Sequence, residues 1–151
     1  MRAFIFLFYL LFLFFFTCTE SLSHLLHEYQ LHFRFSPNPP LHEFFHNDFS
    51  IDNSAYMTQK LGHVMSFFFL GAITYWKWPS RLVVILVGLG AGFTTEILQL
   101  YFSRSGRLLD VGYDVCGSLI FLGALIGYPL IRSEVMVEGD KGTMKRRRNV
   151  S

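Results

Sequence analysis

Charge is scarce in this chain. Acidic and basic residues together make up 16% of its 151 residues. A soluble domain of that length normally needs roughly 25–35% charged residues on its surface alone. The net charge is only +2, which argues against the concentrated basic face that grips nucleic acid. Cysteine is nearly absent. Cys18 and Cys116 stand far apart with no CxxC spacing, so neither a disulfide framework nor a cysteine zinc site is indicated. Proline occurs five times, and three of those sit together at Pro37, Pro39 and Pro40. Long stretches are therefore free of the residue that most strongly breaks helices.

The bulk of the chain is apolar. Hydrophobic residues reach 52%, phenylalanine alone contributes 18, and the mean hydropathy is +0.36. An integral membrane protein is the class this composition indicates. Ala3 to Cys18 is almost wholly apolar behind Arg2. It is short against the roughly 17–25 residues that span a bilayer. Residues 1–19 read as an N-terminal transmembrane helix or signal anchor, with a cleaved signal peptide as the alternative. Residues 20–59 are polar, histidine-rich and interrupted by proline. They read as an extracytoplasmic loop of about 40 residues, with a short helix over Leu22–Leu31 whose leucines share one face. Asn53 and Ser54 are placed to cap the next helix.

Three more apolar segments lie in residues 60–131. Leu61–Trp76 ends in Trp76, Lys77 and Trp78, residues suited to the membrane interface. Leu82–Phe102 comes after the turn at Pro79 and Ser80, and Leu109–Ile131 after the polar loop from Ser103. The fold expected is an all-α membrane bundle of four transmembrane helices. The tail, 132–151, ends in a basic run and reads as disordered and cytoplasmic. With both termini inside, nine of the thirteen lysines and arginines fall on the inner side: Arg2, Lys77, Arg81, Arg132, Lys141, Lys145 and Arg146–Arg148. Arg34, Lys60, Arg104 and Arg107 fall outside. That is the orientation the positive-inside rule favours. Gly88/Gly92 and Gly123/Gly127 have the GxxxG spacing that lets membrane helices approach closely.

Polar residues inside such segments are expensive, about 2.5–3.5 kcal/mol each for a central charge on insertion scales. This chain carries several. Lys60 and His63 lie one turn apart, Glu96 and Gln99 are at i and i+3, and Asp110 and Asp114 are at i and i+4. Each pair shares a helix face. Antiparallel threading puts all three pairs toward the outer side, near Arg104. For Lys60, Arg107 and Asp110 a competing reading is an interface anchor, because long side chains snorkel to helix ends. Glu96 lies deeper and needs a partner such as Lys60, His63 or Arg104, or else must be protonated; a purely structural buried ion pair is the competing reading.

His42-Glu43-Phe44-Phe45-His46 fits the H-E-x-x-H zinc pattern. Prolines precede it, Asn47 and Asp48 come at once after it, and no third ligand is evident. It reads as a chance occurrence in a histidine-rich loop, so no metal and no cofactor is expected.

The ordered motifs K-x-x-H (Lys60, His63), E-x-x-Q (Glu96, Gln99) and R-x5-D-x3-D-x2-G (Arg104, Asp110, Asp114, Gly117) resemble the VanZ-like membrane family. The resemblance covers Tyr56 to Ile131. The family pattern often has Asn where Asp114 stands, and Arg107 offers a second register for the arginine. The resemblance implies a small integral membrane protein of the bacterial cell envelope, in a family whose founding member is associated with teicoplanin resistance. The expected partners are membrane lipids, a cell-wall precursor or a lipophilic glycopeptide, met at the outer face. Arg104 would meet an anionic group while Glu96 and Asp114 set local charge. The alternative is an enzyme in which Glu96, His63 or Asp114 performs acid–base chemistry on an envelope lipid or peptide.

Overall fold

The computed structural model describes residues 1–18, 35–46, 54–102 and 105–148. The expected helix over Leu22–Leu31, and Arg34, Asn53 and Arg104, lie outside the described residues. Among those described there are four α-helices, one short 3-10 helix and no strand. Helix α1 is Arg2–Cys18, α2 is Ser54–Lys77, α3 is Arg81–Tyr101 and α4 is Leu108–Arg148. The 3-10 helix is Leu41–Phe45.

The apolar runs give α3 and α4 their length. Arg81–Tyr101 and Leu108–Tyr128 are each long and apolar enough to cross a membrane. α1 is apolar but has 17 residues. α2 has 24 residues but carries Lys60 and His63, which lower its hydropathy. Its polar first two turns also explain why it starts at Ser54, ahead of the apolar run that marks it in sequence. Nothing stops a helix in that stretch, because the nearest upstream proline is Pro40. At the other end Pro79 breaks the chain, and Ser80 caps α3 by accepting from the Val83 N–H at 3.5 Å. α4 departs most from expectation. Its backbone runs on through the polar tail to Arg148, where the sequence pattern predicts disorder. Residues 132–148 contain no proline and are rich in Glu, Met, Lys and Arg, all good helix formers.

α2 and α4 lie parallel, matched turn by turn. Lys60 meets Asp110, His63 meets Asp114, the Ser118 hydroxyl donates to the Phe67 carbonyl at 3.4 Å, and Phe68 meets Phe121 edge-on at 5.7 Å. Gly117 makes this closeness available: a Cβ there would overlap the Val64 carbonyl. α3 runs antiparallel to both. Gly88 and Gly92 face Ser118 and Asp114 on α4, so this GxxxG pair is a packing face. Gly123 and Gly127 have nothing within 4 Å of where a Cβ would stand.

α1 packs antiparallel to α2. The Tyr9 hydroxyl donates to the Ser66 carbonyl at 2.8 Å and Arg2 Nη1 to the Trp76 carbonyl at 3.2 Å. Phe6 and Leu13 join Phe67 and Leu70 in the apolar core. At this end of the bundle Lys77 lies 3.9 Å from the Trp78 ring centre and Arg2 lies 5.2 Å from that of Trp76. The outward faces of all four helices are rich in exposed Phe, Leu and Ile. That is the surface a lipid-facing bundle needs.

Candidate functional site

The polar residues converge at the end of the bundle opposite Trp76 and Trp78. Lys60, seven residues into the polar start of α2, points across to α4 and forms an ion pair with Asp110 Oδ1. Both are buried, at 3% and 1% exposure. The interface-anchor reading of this pair does not hold, since neither side chain reaches out to a surface. The Lys60 ammonium also lies 4.6 Å from the ring centre of Tyr56 and 5.8 Å from that of Tyr113.

One turn deeper, His63 Nδ1 is 2.9 Å from Asp114 Oδ1 and 3.7 Å from Glu96 Oε1. Glu96 and Asp114 are both 0% exposed. Three helices supply these three groups. Gly92 is what lets Asp114 lie so close to α3, since a Cβ there would stand 3.2 Å from Asp114 Oδ2. The remaining bonds of Glu96 come from its own neighbourhood. Gln99 Nε2 donates to Oε1 at 3.2 Å, and the Arg107 backbone N–H donates to Oε2 at 2.8 Å. That last bond exists because the α3–α4 connection folds back over the site. Gly106 sits so near the Glu96 carbonyl that a side chain would overlap it.

Two buried carboxylate oxygens, Asp110 Oδ2 and Asp114 Oδ2, have no hydrogen-bond partner among the described residues. Such atoms are rare in native interiors and call for an explanation. The flank of this end is overlaid by the described part of the 20–59 segment. The Ser36 N–H donates to the Tyr101 carbonyl at 2.7 Å, Phe35 stacks on Tyr101 at 6.2 Å, and Phe44 meets Phe93 at 6.3 Å.

The structure therefore brings together Lys60, His63, Glu96, Gln99, Asp110 and Asp114. Of the partners expected for Glu96, His63 is the one found among the described residues. Arg104 lies outside the described residues. His42 and His46 are exposed and apart from the cluster, and the helix between them is 3-10, with His46 already extended. A 3-10 turn holds three residues, so this geometry does not give the i, i+4 face an H-E-x-x-H zinc site uses. Sequence reasoning misses Tyr56, Tyr113 and the Arg107 backbone. Tyr56 and Tyr113 are legible in principle, since they lie at helical spacing from Lys60 and Asp110.

Buried ionic groups shared by three helices, under an exterior rich in apolar side chains and with two helices apolar enough to cross a membrane, are what a membrane protein with a polar centre presents. The chain belongs to the VanZ/LLP1 family, whose sequence profile matches residues 3–132. The match takes in α1, beyond the Tyr56–Ile131 stretch whose motifs carry the resemblance. Among its relatives is the uncharacterized membrane protein YwnJ of Bacillus subtilis (strain 168). It is 37% identical over 113 residues, covering 72% of this chain and 79% of the relative. No solved structure matches this protein.

Proposed function

We propose that this VanZ-family protein works in the cell envelope, with α1 to α4 all crossing the membrane, both termini cytoplasmic and the polar centre toward the outer face. Its ligand would be an envelope lipid, a cell-wall precursor or a lipophilic glycopeptide, whose anionic group would meet Arg104 while Glu96 and Asp114 set the local charge. Resistance of the teicoplanin type is the phenotype this reading points to. The observation that carries it is the buried convergence of Lys60–Asp110 with His63, Glu96 and Asp114. A bundle held only by packing has no use for three carboxylates at this depth, because each costs several kcal/mol to bury. The packing of Phe6 and Leu13 into the core supports α1 as a retained helix. The aromatic and basic end at Trp76, Lys77, Trp78 and Arg2 supports a cytoplasmic interface there.

The His63–Asp114 contact favours a second reading, acid–base catalysis on an envelope lipid or peptide. A carboxylate that orients an imidazole is the arrangement a general base uses.

The test replaces each group while watching abundance. Glu96→Gln, Arg104→Ala and Asp114→Asn should each abolish an envelope phenotype, such as altered glycopeptide susceptibility, with membrane levels near wild type. Full function in all three variants refutes the proposal. Loss of all three from the membrane assigns the cluster to stability alone. Turnover of a defined envelope substrate by the wild type, lost in Glu96→Gln, selects the enzyme reading.

A further inference from the structure

We infer that His63, Glu96 and Asp114 form a binding site for one divalent metal ion, Zn2+ first among them. The inference rests on the reading that this cluster is the working site, and gives that site its chemistry.

Three observations carry it. One donor atom from each of the three residues lies within 4.8 Å of the other two. Zinc holds nitrogen and oxygen ligands at about 2.0–2.2 Å, so two ligand atoms of a tetrahedral site stand about 3.3–3.6 Å apart. The His63 Nδ1–Asp114 Oδ1 and His63 Nδ1–Glu96 Oε1 separations, 2.9 and 3.7 Å, bracket that spacing.

The second observation is an acceptor left over. Asp114 is fully buried, yet among the described residues its Oδ2 has no hydrogen-bond partner, so an ion held by both oxygens of this carboxylate would satisfy it. A cation satisfies a carboxylate oxygen that no donor reaches. The third is charge. Among the described side chains that are fully buried, one ammonium, Lys60, faces three carboxylates, Glu96, Asp110 and Asp114. With His63 neutral, as a metal ligand must be, a divalent ion cancels the excess of two negative charges.

The donor set also selects the metal. One imidazole and two carboxylates, without a thiolate, suit Zn2+ or Mn2+ better than a soft ion. The surroundings hold the ligands in place: Gln99 Nε2 and the Arg107 N–H both fix Glu96, as outer-shell groups do in metal sites. Three protein ligands leave a fourth position open, the form that zinc takes when it binds or activates a further group.

None of this is readable as a metal motif. The three ligands come from three helices, and His63 and Glu96 are separated by an entire turn of the chain through the bundle. The residues that do match a zinc pattern, His42 and His46, lie elsewhere.

The test uses the full-length protein in detergent micelles, stripped with chelator and titrated with Zn2+ alone and, in parallel, with Co2+. The expected result is one equivalent of Zn2+ in the wild type and in the His42→Ala/His46→Ala variant. His63→Ala, Glu96→Gln and Asp114→Asn should weaken it by at least about 100-fold. In a background with Cys18 and Cys116 replaced by Ser, His63→Cys should add a thiolate-to-cobalt charge-transfer band, which His63→Ala lacks. Absence of stoichiometric uptake by the wild type overturns the inference, and so does uptake that disappears with His42 and His46. Neither result depends on whether the cluster variants fold. If the wild type takes up no metal while Glu96→Gln still loses the envelope phenotype at normal abundance, the metal fails and the proposed function stands.

Discussion

Lys60 and Asp110 lend themselves to a double-mutant cycle, because their burial makes the two sides of the pair unequal. Lys60→Met removes the ammonium and leaves Asp110 buried beside Glu96 and Asp114, with no other fully buried lysine or arginine among the described residues to offset it. Removing one partner of a buried ion pair typically costs about 3–5 kcal/mol, and the two further carboxylates place this variant at the upper end. Asp110→Asn should cost less. The ammonium keeps the Tyr56 and Tyr113 rings at 4.6 and 5.8 Å, each contact worth about 0.5–2 kcal/mol, and two carboxylates remain nearby. In Lys60→Met/Asp110→Asn both charges are gone together, so the double variant should be more stable than the sum of the single losses predicts, by up to about 3 kcal/mol. Reversible SDS-induced unfolding of the purified protein, tracked by far-UV circular dichroism, measures all four corners of the cycle. An exposed pair at a helix end would couple by less than about 1 kcal/mol. Additive losses, or Asp110→Asn more damaging than Lys60→Met, would refute the buried-pair account.

The close crossing of α2 and α4 predicts that Gly117→Ala lowers the unfolding midpoint by the equivalent of about 1–3 kcal/mol, as overpacking does. Gly123→Ala, which meets nothing within 4 Å, should stay within about 0.5 kcal/mol of wild type; equal effects at both positions would contradict the crossing. For topology, single cysteines at Ser36, Ser105 and Ser151 in a chain lacking Cys18 and Cys116 should divide under an impermeant thiol reagent, with the first two labelled from one side and the last from the other. Labelling of Ser36 and Ser105 from opposite sides would rule out four spans.

The apolar runs make α3 and the first part of α4 legible, because a membrane span announces itself by length and composition. α2 is harder: its apolar run starts at Leu61, while the helix starts seven residues earlier through polar sequence that tertiary packing holds in place. The candidate side chains are visible one helix at a time, as pairs at i+3 and i+4 spacing. Their partners across helices are not, because the close approach that sets His63 against Asp114 and Lys60 against Asp110 depends on Gly117, as that of α3 to Asp114 depends on Gly92, and glycine spacing alone does not say which helix comes close. The Arg107 bond to Glu96 is least legible of all. A backbone N–H belongs to every residue but proline, so no residue type marks it.

The ion pair between α2 and α4 also sets an order of events during synthesis. Lys60 precedes Asp110 by 50 residues. At ribosomal rates of about 5–20 residues per second, Lys60 is made roughly 3–10 s before its counter-charge exists. In the proposed four-span arrangement, α2 cannot settle into lipid as a finished unit. Its ammonium must stay near water, or in the insertion machinery, until α4 arrives. The first two helices therefore wait on the last, and a chain cut short before Asp110 would leave α2 with a charge it has no means to hide.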